Sequence, residues 1–206
     1  MRNKSATVAV TLLLVGIFVG IGIAPFISQN SSAPPTVTQQ SIGTTTTTLG
    51  MTITEAGPDI VDHCFTSGYG STSDCASLIV YWIGQAKSSI HILMYSMTLD
   101  VIAQALVQAA ARGVDVKIVL DSIQAQSEYS QYSKLTAAGM NVRLSHGAYE
   151  MHDKIAVIDD HIIITGSFNW TQDANSNNDE NLLILNSQTL GVAYEQEFQT
   201  VWNASA

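Results

Sequence analysis

The sequence predicts an α/β domain, a mixed β-sheet flanked by helices, that follows an apolar N-terminal segment and a polar linker. Three observations predict it. Between residues 75 and 144, runs with apolar residues at helical spacing alternate with runs that alternate every second residue. Two short apolar runs then bracket Asp159-Asp160-His161, as the arms of an antiparallel hairpin do. A late strand and an amphipathic helix end the pattern, so the sheet has to combine parallel crossovers with antiparallel pairs. The 206 residues are 46% hydrophobic with a mean hydropathy of +0.19, which supplies a core and excludes wholesale disorder.

Taken in order, Arg2 and Lys4 precede an uncharged apolar run from Ala6 to Ile27, 22 residues long. A helix needs roughly 20 residues to cross a bilayer. Residues 1–27 therefore read as a transmembrane signal anchor, with the basic side cytoplasmic and the remainder exported. A cleaved signal peptide, and so a secreted protein, is the alternative. Such peptides have a shorter apolar region of about 7–15 residues, and Pro25-Phe26-Ile27 interrupts any cleavage site here. Residues 28–50 are rich in Ser, Thr, Gln and Pro and bury too little apolar surface to order themselves, so they read as a linker. Asn30-Ser31-Ser32 and Asn203-Ala204-Ser205 fit the glycosylation acceptor pattern.

The folded domain spans 51–206. Its two cysteines, Cys64 and Cys75, suit one disulfide closing a short Gly- and Ser-containing loop in an exported chain. His63 beside Cys64 raises zinc, but no second ligand pair with metal spacing follows. Ser73 is placed to cap a helix over 75–87, whose apolar side carries Leu78, Ile79, Trp82 and Ile83. Ile90, Ile92 and Met94 alternate as a strand. Leu99 to Ala111 is helical and stops at Gly113, and Val114, Val116, Ile118 and Leu120 form the next strand. A short helix over Tyr129–Ala138 ends at Gly139, and Val142 with Leu144 suggests another strand. Lys154–Ile158 and Ile162–Thr165 are the hairpin arms, Leu182–Leu185 the late strand and Leu190–Trp202 the last helix. Neither a GxGxxG nor a Walker loop is present, so nucleotide-cofactor chemistry has no support and no cofactor is implied.

Charge narrows the partners. Lys and Arg number 8 against 17 Asp and Glu, and every acidic residue lies beyond position 50. A polybasic surface that tracks long nucleic acid by counterion release is thereby disfavoured. A compact basic pocket in an acidic protein remains allowed.

The chemistry concentrates between 151 and 169. His152 and Lys154 stand two apart at a strand start, so both side chains leave one face. Ser167 and Asn169 share a face at the end of the following strand, after Gly166. Closing the hairpin brings an imidazole, an ammonium, a hydroxyl and a carboxamide together. One nucleophile with several donors suits a phosphoryl group, whose oxygens gain charge in the transition state. Asp159, where the turn begins, reads as a structural acceptor for backbone or for Lys154. Taken singly, each residue is an ordinary surface or loop group, and Asn169-Trp170-Thr171 is another acceptor pattern for glycosylation. Their joint spacing is what carries the reading.

The pattern His152-x-Lys154, four residues, Asp159, six residues, Gly166-Ser167-x-Asn169 resembles the signature motif of the phospholipase D superfamily. Tyr95-Ser96-Met97-Thr98, the run Arg112 to Asp121, and Glu180-Asn181 extend the resemblance across residues 55–203, which looks most like the short endonuclease branch with one motif per chain. It implies a phospholipase D-like fold and a metal-independent, two-step phosphodiester exchange through a phosphohistidine. The implied catalytic set is His152, Lys154, Asp159, Ser167, Asn169 and Glu180. Within it Lys154 and Asn169 hold the non-bridging oxygens, Ser167 assists, and Glu180 orients an imidazole. His63, His91, His146 and His161 lack such companions and read as structural or surface groups. The mechanism needs two histidines and the chain has one motif, so a homodimer sharing the site is expected. Nucleic acid, DNA or RNA, is the favoured substrate. Phospholipid is the alternative, and a catalytically silent extracellular binding module is the non-enzymatic reading.

Overall fold

The computed structural model describes residues 45–48, 51–54, 57–68 and 74–206. The expected membrane segment, most of the expected linker, and Ser73 lie outside the described residues. Among the described residues, no helix is long and apolar enough to cross a membrane.

Part of the expected linker is strand. β1 (Thr45–Thr48) pairs antiparallel with β2 (Met51–Thr54) as a separate two-stranded sheet, consistent with the extended preference of β-branched Thr. The remaining elements are β3 (Asp59–Thr66), α1 (Cys75–Gln85), β4 (Ser89–Met94), α2 (Asp100–Ala111) and β5 (Asp115–Leu120). A single 3₁₀ turn (Gln124–Gln126) leads to α3 (Tyr132–Ala137) and β6 (Asn141–Leu144). The hairpin β7 (Lys154–Ile158) and β8 (Ile162–Gly166) follows, then α4 (Gln172–Ser176), β9 (Glu180–Asn186) and α5 (Gln188–Ala204). Seven strands form the main sheet in the order β3-β9-β8-β7-β4-β5-β6. β4, β5 and β6 run parallel and all other pairs are antiparallel, which is the mixed sheet the sequence predicts.

The central strands read as nearly continuous apolar runs because both of their faces are covered. Ile90, Ile92 and Met94 of β4 join Ala156 and Ile158 of β7 in a core with Ile79, Ile83, Ile102 and Leu106 of α1 and α2. On the opposite face Leu93, Val119, Ile155 and Val157 lie under Phe198 and Trp202 of α5. Gly191 lets α5 lie against the hairpin, since a Cβ there would overlap the Asp160 carbonyl. His91 is the polar member of that second face. Its Nδ1 is 2.8 Å from the Glu195 carboxylate and its ring stacks on Phe198 at 4.6 Å.

One local expectation needs correction. α1 is capped by Asp74 rather than Ser73, the Asp74 carboxylate accepting the Ser77 N–H. Strand β3, which carries Cys64, has no counterpart in the sequence pattern; it is an edge strand on β9 that leaves Ile60, Val61 and Phe65 exposed. That exposure breaks the alternation by which a strand is recognised. The disulfide itself forms, Cys64 to Cys75 with Cα atoms 5.6 Å apart, and ties β3 to the start of α1.

The β7–β8 turn holds Asp159 and Asp160 in left-handed backbone, φ 51° and 64°. The Asp159 carboxylate turns away from Lys154 and accepts the N–H groups of Lys87, Ser88 and Ser89 and the Ser88 hydroxyl. Desolvation pushes its pKa up, but these donors outweigh it and hold the carboxyl below its ordinary value. A depressed carboxyl contributes stability above its unfolded pKa and loses it as pH falls through the folded one. Asp159→Ala is therefore expected to cost about 1–3 kcal/mol at neutral pH. In urea denaturation the gap to wild type should close in acid below the carboxylate range.

Candidate active site

β7 runs antiparallel to β4, with Lys154 opposite Met94, and Gly166 of β8 stands opposite Leu182 of β9. The C-terminal ends of β4, β5 and β8 and the N-terminal ends of β7 and β9 therefore meet at one end of the sheet. Ligands of α/β sheets bind at the carboxyl ends of parallel strands. His152, Lys154, Ser167, Asn169 and Glu180 all belong to this end. Asp159 does not. It sits at the other end of β7, about 16 Å along the strand at roughly 3.3 Å per residue, which excludes it from the site and leaves it the backbone acceptor described above.

The segment after β8 explains how two polar residues are presented. Phe168 and Trp170 point inward, 0% and 1% exposed, while Ser167 and Asn169 alternate with them. Trp170 is locked to the loop after β4. Its N–H donates to the Ser96 carbonyl at 3.1 Å, and its carbonyl accepts from Thr98 and Leu99. Removing either ring would cost about 3–5 kcal/mol, so the segment has little freedom to shift. Gly166 adopts φ 148°, where a Cβ would overlap the Asn181 carbonyl.

Lys154 reaches back along the strand. Its Nζ donates to the His152 carbonyl at 2.6 Å and lies 3.1 Å from His152 Nδ1. A charged ammonium there makes Nδ1 the acceptor and places the imidazole proton on Nε2. Burial pulls the Lys154 pKa below its ordinary value, and Asp153, Glu180 and Glu150 push back. Tyr95, at the end of β4, forms the floor: its ring centre is 4.4 Å from that of His152 and 4.8 Å from Lys154 Nζ. The phenol donates to Glu150 at 3.2 Å and accepts from Gln124 at 3.0 Å. Desolvation and the Glu150 carboxylate raise its pKa, so it remains protonated.

Glu180 and Ser167 form a second cluster. Ser167 Oγ donates to Glu180 at 2.5 Å and accepts the N–H and the side-chain amide of Asn181. Its proton is thus directed to Glu180 rather than to an incoming phosphate. Asn178 donates to the other Glu180 oxygen at 3.0 Å. No hydrogen bond joins Glu180 to His152 within the described chain.

Asp121, which ends the run from Arg112 that the resemblance includes, has no role in the implied catalytic set. Buried at 1% exposure, it accepts the N–H groups of Ile123 and Gln124 with one oxygen and that of Met151 with the other, at 3.0 Å. It fixes the Glu150–Met151 peptide, one residue before His152. Its signals in the sequence are its place at the end of that run and an acidic residue closing an apolar strand. His63, His146 and His161 have no part in this cluster, and no group of His, Cys, Asp and Glu among the described residues suits a metal ion. An imidazole in contact with an ammonium, with a hydroxyl and a carboxamide at the same end of the sheet, is a donor set that suits an anionic phosphoryl group.

Comparison with known proteins finds relatives of this chain in sequence and in fold. The family described as "Cardiolipin synthase, PLD-like domain" matches residues 79–202. A "Phospholipase D" of Rickettsia conorii is 35% identical over 146 residues, 71% of either chain. The "Mitochondrial cardiolipin hydrolase" of Chlamydomonas reinhardtii is 33% identical over 141 residues, and the chain spans 62% of that relative's length. Among solved structures, the phospholipase D family member Nuc from Salmonella typhimurium superposes with TM-score 0.65 at 32% identity, covering 73% of this chain and 97% of that one.

Gly166→Ala should destabilise the protein by about 2 kcal/mol or more, read as a lowered midpoint in thermal or urea unfolding. An unchanged midpoint would contradict the close approach of Gly166 to β9.

Proposed function

The chain belongs to the phospholipase D superfamily, and from that premise we propose that it is a membrane-tethered or exported phosphodiesterase that cleaves nucleic acid through a phosphohistidine. The observation that carries the reading is the contact of His152 with Lys154 above Tyr95. In the first step an imidazole nitrogen of one His152 attacks phosphorus. The bond to the leaving oxygen breaks, and a second His152, as imidazolium, gives that oxygen its proton. In the second step the now neutral second imidazole takes a proton from water. The hydroxide so formed displaces the first histidine and yields the phosphomonoester. Lys154 and the Asn169 amide stabilise the charge that grows on the non-bridging oxygens.

The second histidine comes from a second copy of the chain in a twofold dimer. Glu180 is engaged with Ser167 and Asn178 of its own chain, and in the dimer it orients His152 of the other copy. A carboxylate on Nδ1 would free Nε2 as the nucleophile, replacing the Lys154 contact seen within one chain. Nucleic acid is favoured because a single-motif chain of this length covers nearly all of the Nuc structure. Ile123 and Tyr149, 65% and 91% exposed beside His152, favour phospholipid as the second reading, because apolar side chains at the rim suit a lipid surface.

Single-stranded DNA, RNA and phospholipid vesicles offered to the purified protein decide the substrate. Nucleic-acid cleavage that persists in excess EDTA is expected, and vesicle hydrolysis alone would replace the nuclease reading with the lipid one. His152→Ala should abolish turnover. Lys154→Ala should lose about 10²–10³-fold in kcat. When His152→Ala is co-assembled with wild type, activity should fall as the square of the wild-type fraction. A linear fall would show that each chain holds a complete site.

A further inference from the structure

An open groove of about 840 Å³ runs from Tyr95 and Asn169 between the segment 127–134 and the start of α4. Beyond Tyr95 and Asn169 at its mouth, nothing in the catalytic steps uses it. Its lining is almost entirely hydroxyl and carboxamide, including Ser127, Ser130, Gln131 and Thr98, with Tyr129 standing 70% exposed at its wall. Three charged groups complete it. Lys134 is paired with Asp100, so its charge is already matched. Glu128 and Asp173 are exposed, and neither forms an ion pair in the structure. The groove therefore begins at Asn169, one of the two proposed phosphate donors, and carries two unmatched carboxylates on its walls.

That sequence of charges is the reverse of a track for a polyanion, whose next phosphate would fall beside carboxylates. It accepts an uncharged, hydroxyl-bearing arm of the scissile diester. We propose that this groove is a subsite for one terminal nucleoside, its base stacked on Tyr129 and its sugar held by the hydroxyl and amide wall. Glu128 and Asp173 reject a further phosphate on that side. The assignment rests on the nucleic-acid reading above and makes the protein selective for chain ends rather than for long internal tracts. Tyr129 acts here as a binding group, because aromatic stacking tolerates any base.

The test uses the full chain with thymidylyl-thymidine and its derivatives carrying a phosphate at the 5′ or the 3′ terminus. One of the two terminal phosphates should lower kcat/KM about tenfold, and the double variant E128K/D173K should remove that penalty. Tyr129→Ala should raise KM for the unphosphorylated dinucleotide about tenfold with kcat retained, and Tyr129→Phe should restore it. Dinucleotide cleavage indifferent to terminal phosphate, or a penalty that survives E128K/D173K, overturns the subsite while leaving the nuclease reading intact. Cleavage of glycerophosphoglycerol, a diester with an uncharged hydroxylated arm and no base, without any dinucleotide cleavage overturns both.

Discussion

The antiparallel register of β7 on β4 is the constraint from which the rest of the site follows. With Lys154 opposite Met94, the strand start carrying His152 and Lys154 is forced to the end of the sheet where β4 and β5 finish. The same pairing sends the far end of β7 to Ser89, where Asp159 binds backbone. β8 then returns to deliver Ser167 and Asn169, and β9 starts there with Glu180. A shift by one residue would turn Lys154 to the α5 face and break every later contact.

Rigidity around this end comes from buried groups rather than from the functional ones. Phe168 and Trp170 wedge the motif segment against the loop after β4, and Asp121 clamps the Glu150–Met151 peptide. The reactive groups themselves are partly or fully exposed, and Lys154 pays a modest desolvation cost that nearby carboxylates offset. A lysine held this way keeps its charge available to a phosphate while staying pointed along the strand. Carboxylates close to the cation also explain how an acidic chain can hold an anion locally yet repel a long polyanion.

Much of this was legible in the sequence because periodicity survives wherever a strand or helix has a buried face. β4, β5, β7, β8 and α2 all announce themselves that way, and the same two-residue period sets His152 beside Lys154. β3 was hidden because an edge strand with Ile60, Val61 and Phe65 exposed has no clean alternation. Asp159 was legible as a turn residue that accepts backbone, whereas the motif, which records spacing along the chain, grouped it with residues at the other end of the strand. Tyr95 and Asp121 act through contacts between segments 25 to 60 residues apart in sequence, which no local pattern encodes.

The central claim is a double displacement at phosphorus through His152. It is tested most directly by the stereochemistry of hydrolysis of a diester made chiral at phosphorus with sulfur and oxygen isotopes. Each in-line displacement inverts the centre, so attack by histidine followed by attack by water predicts net retention of configuration. Net inversion would mean that water attacks the substrate directly, and it would contradict the phosphohistidine and the role assigned to His152.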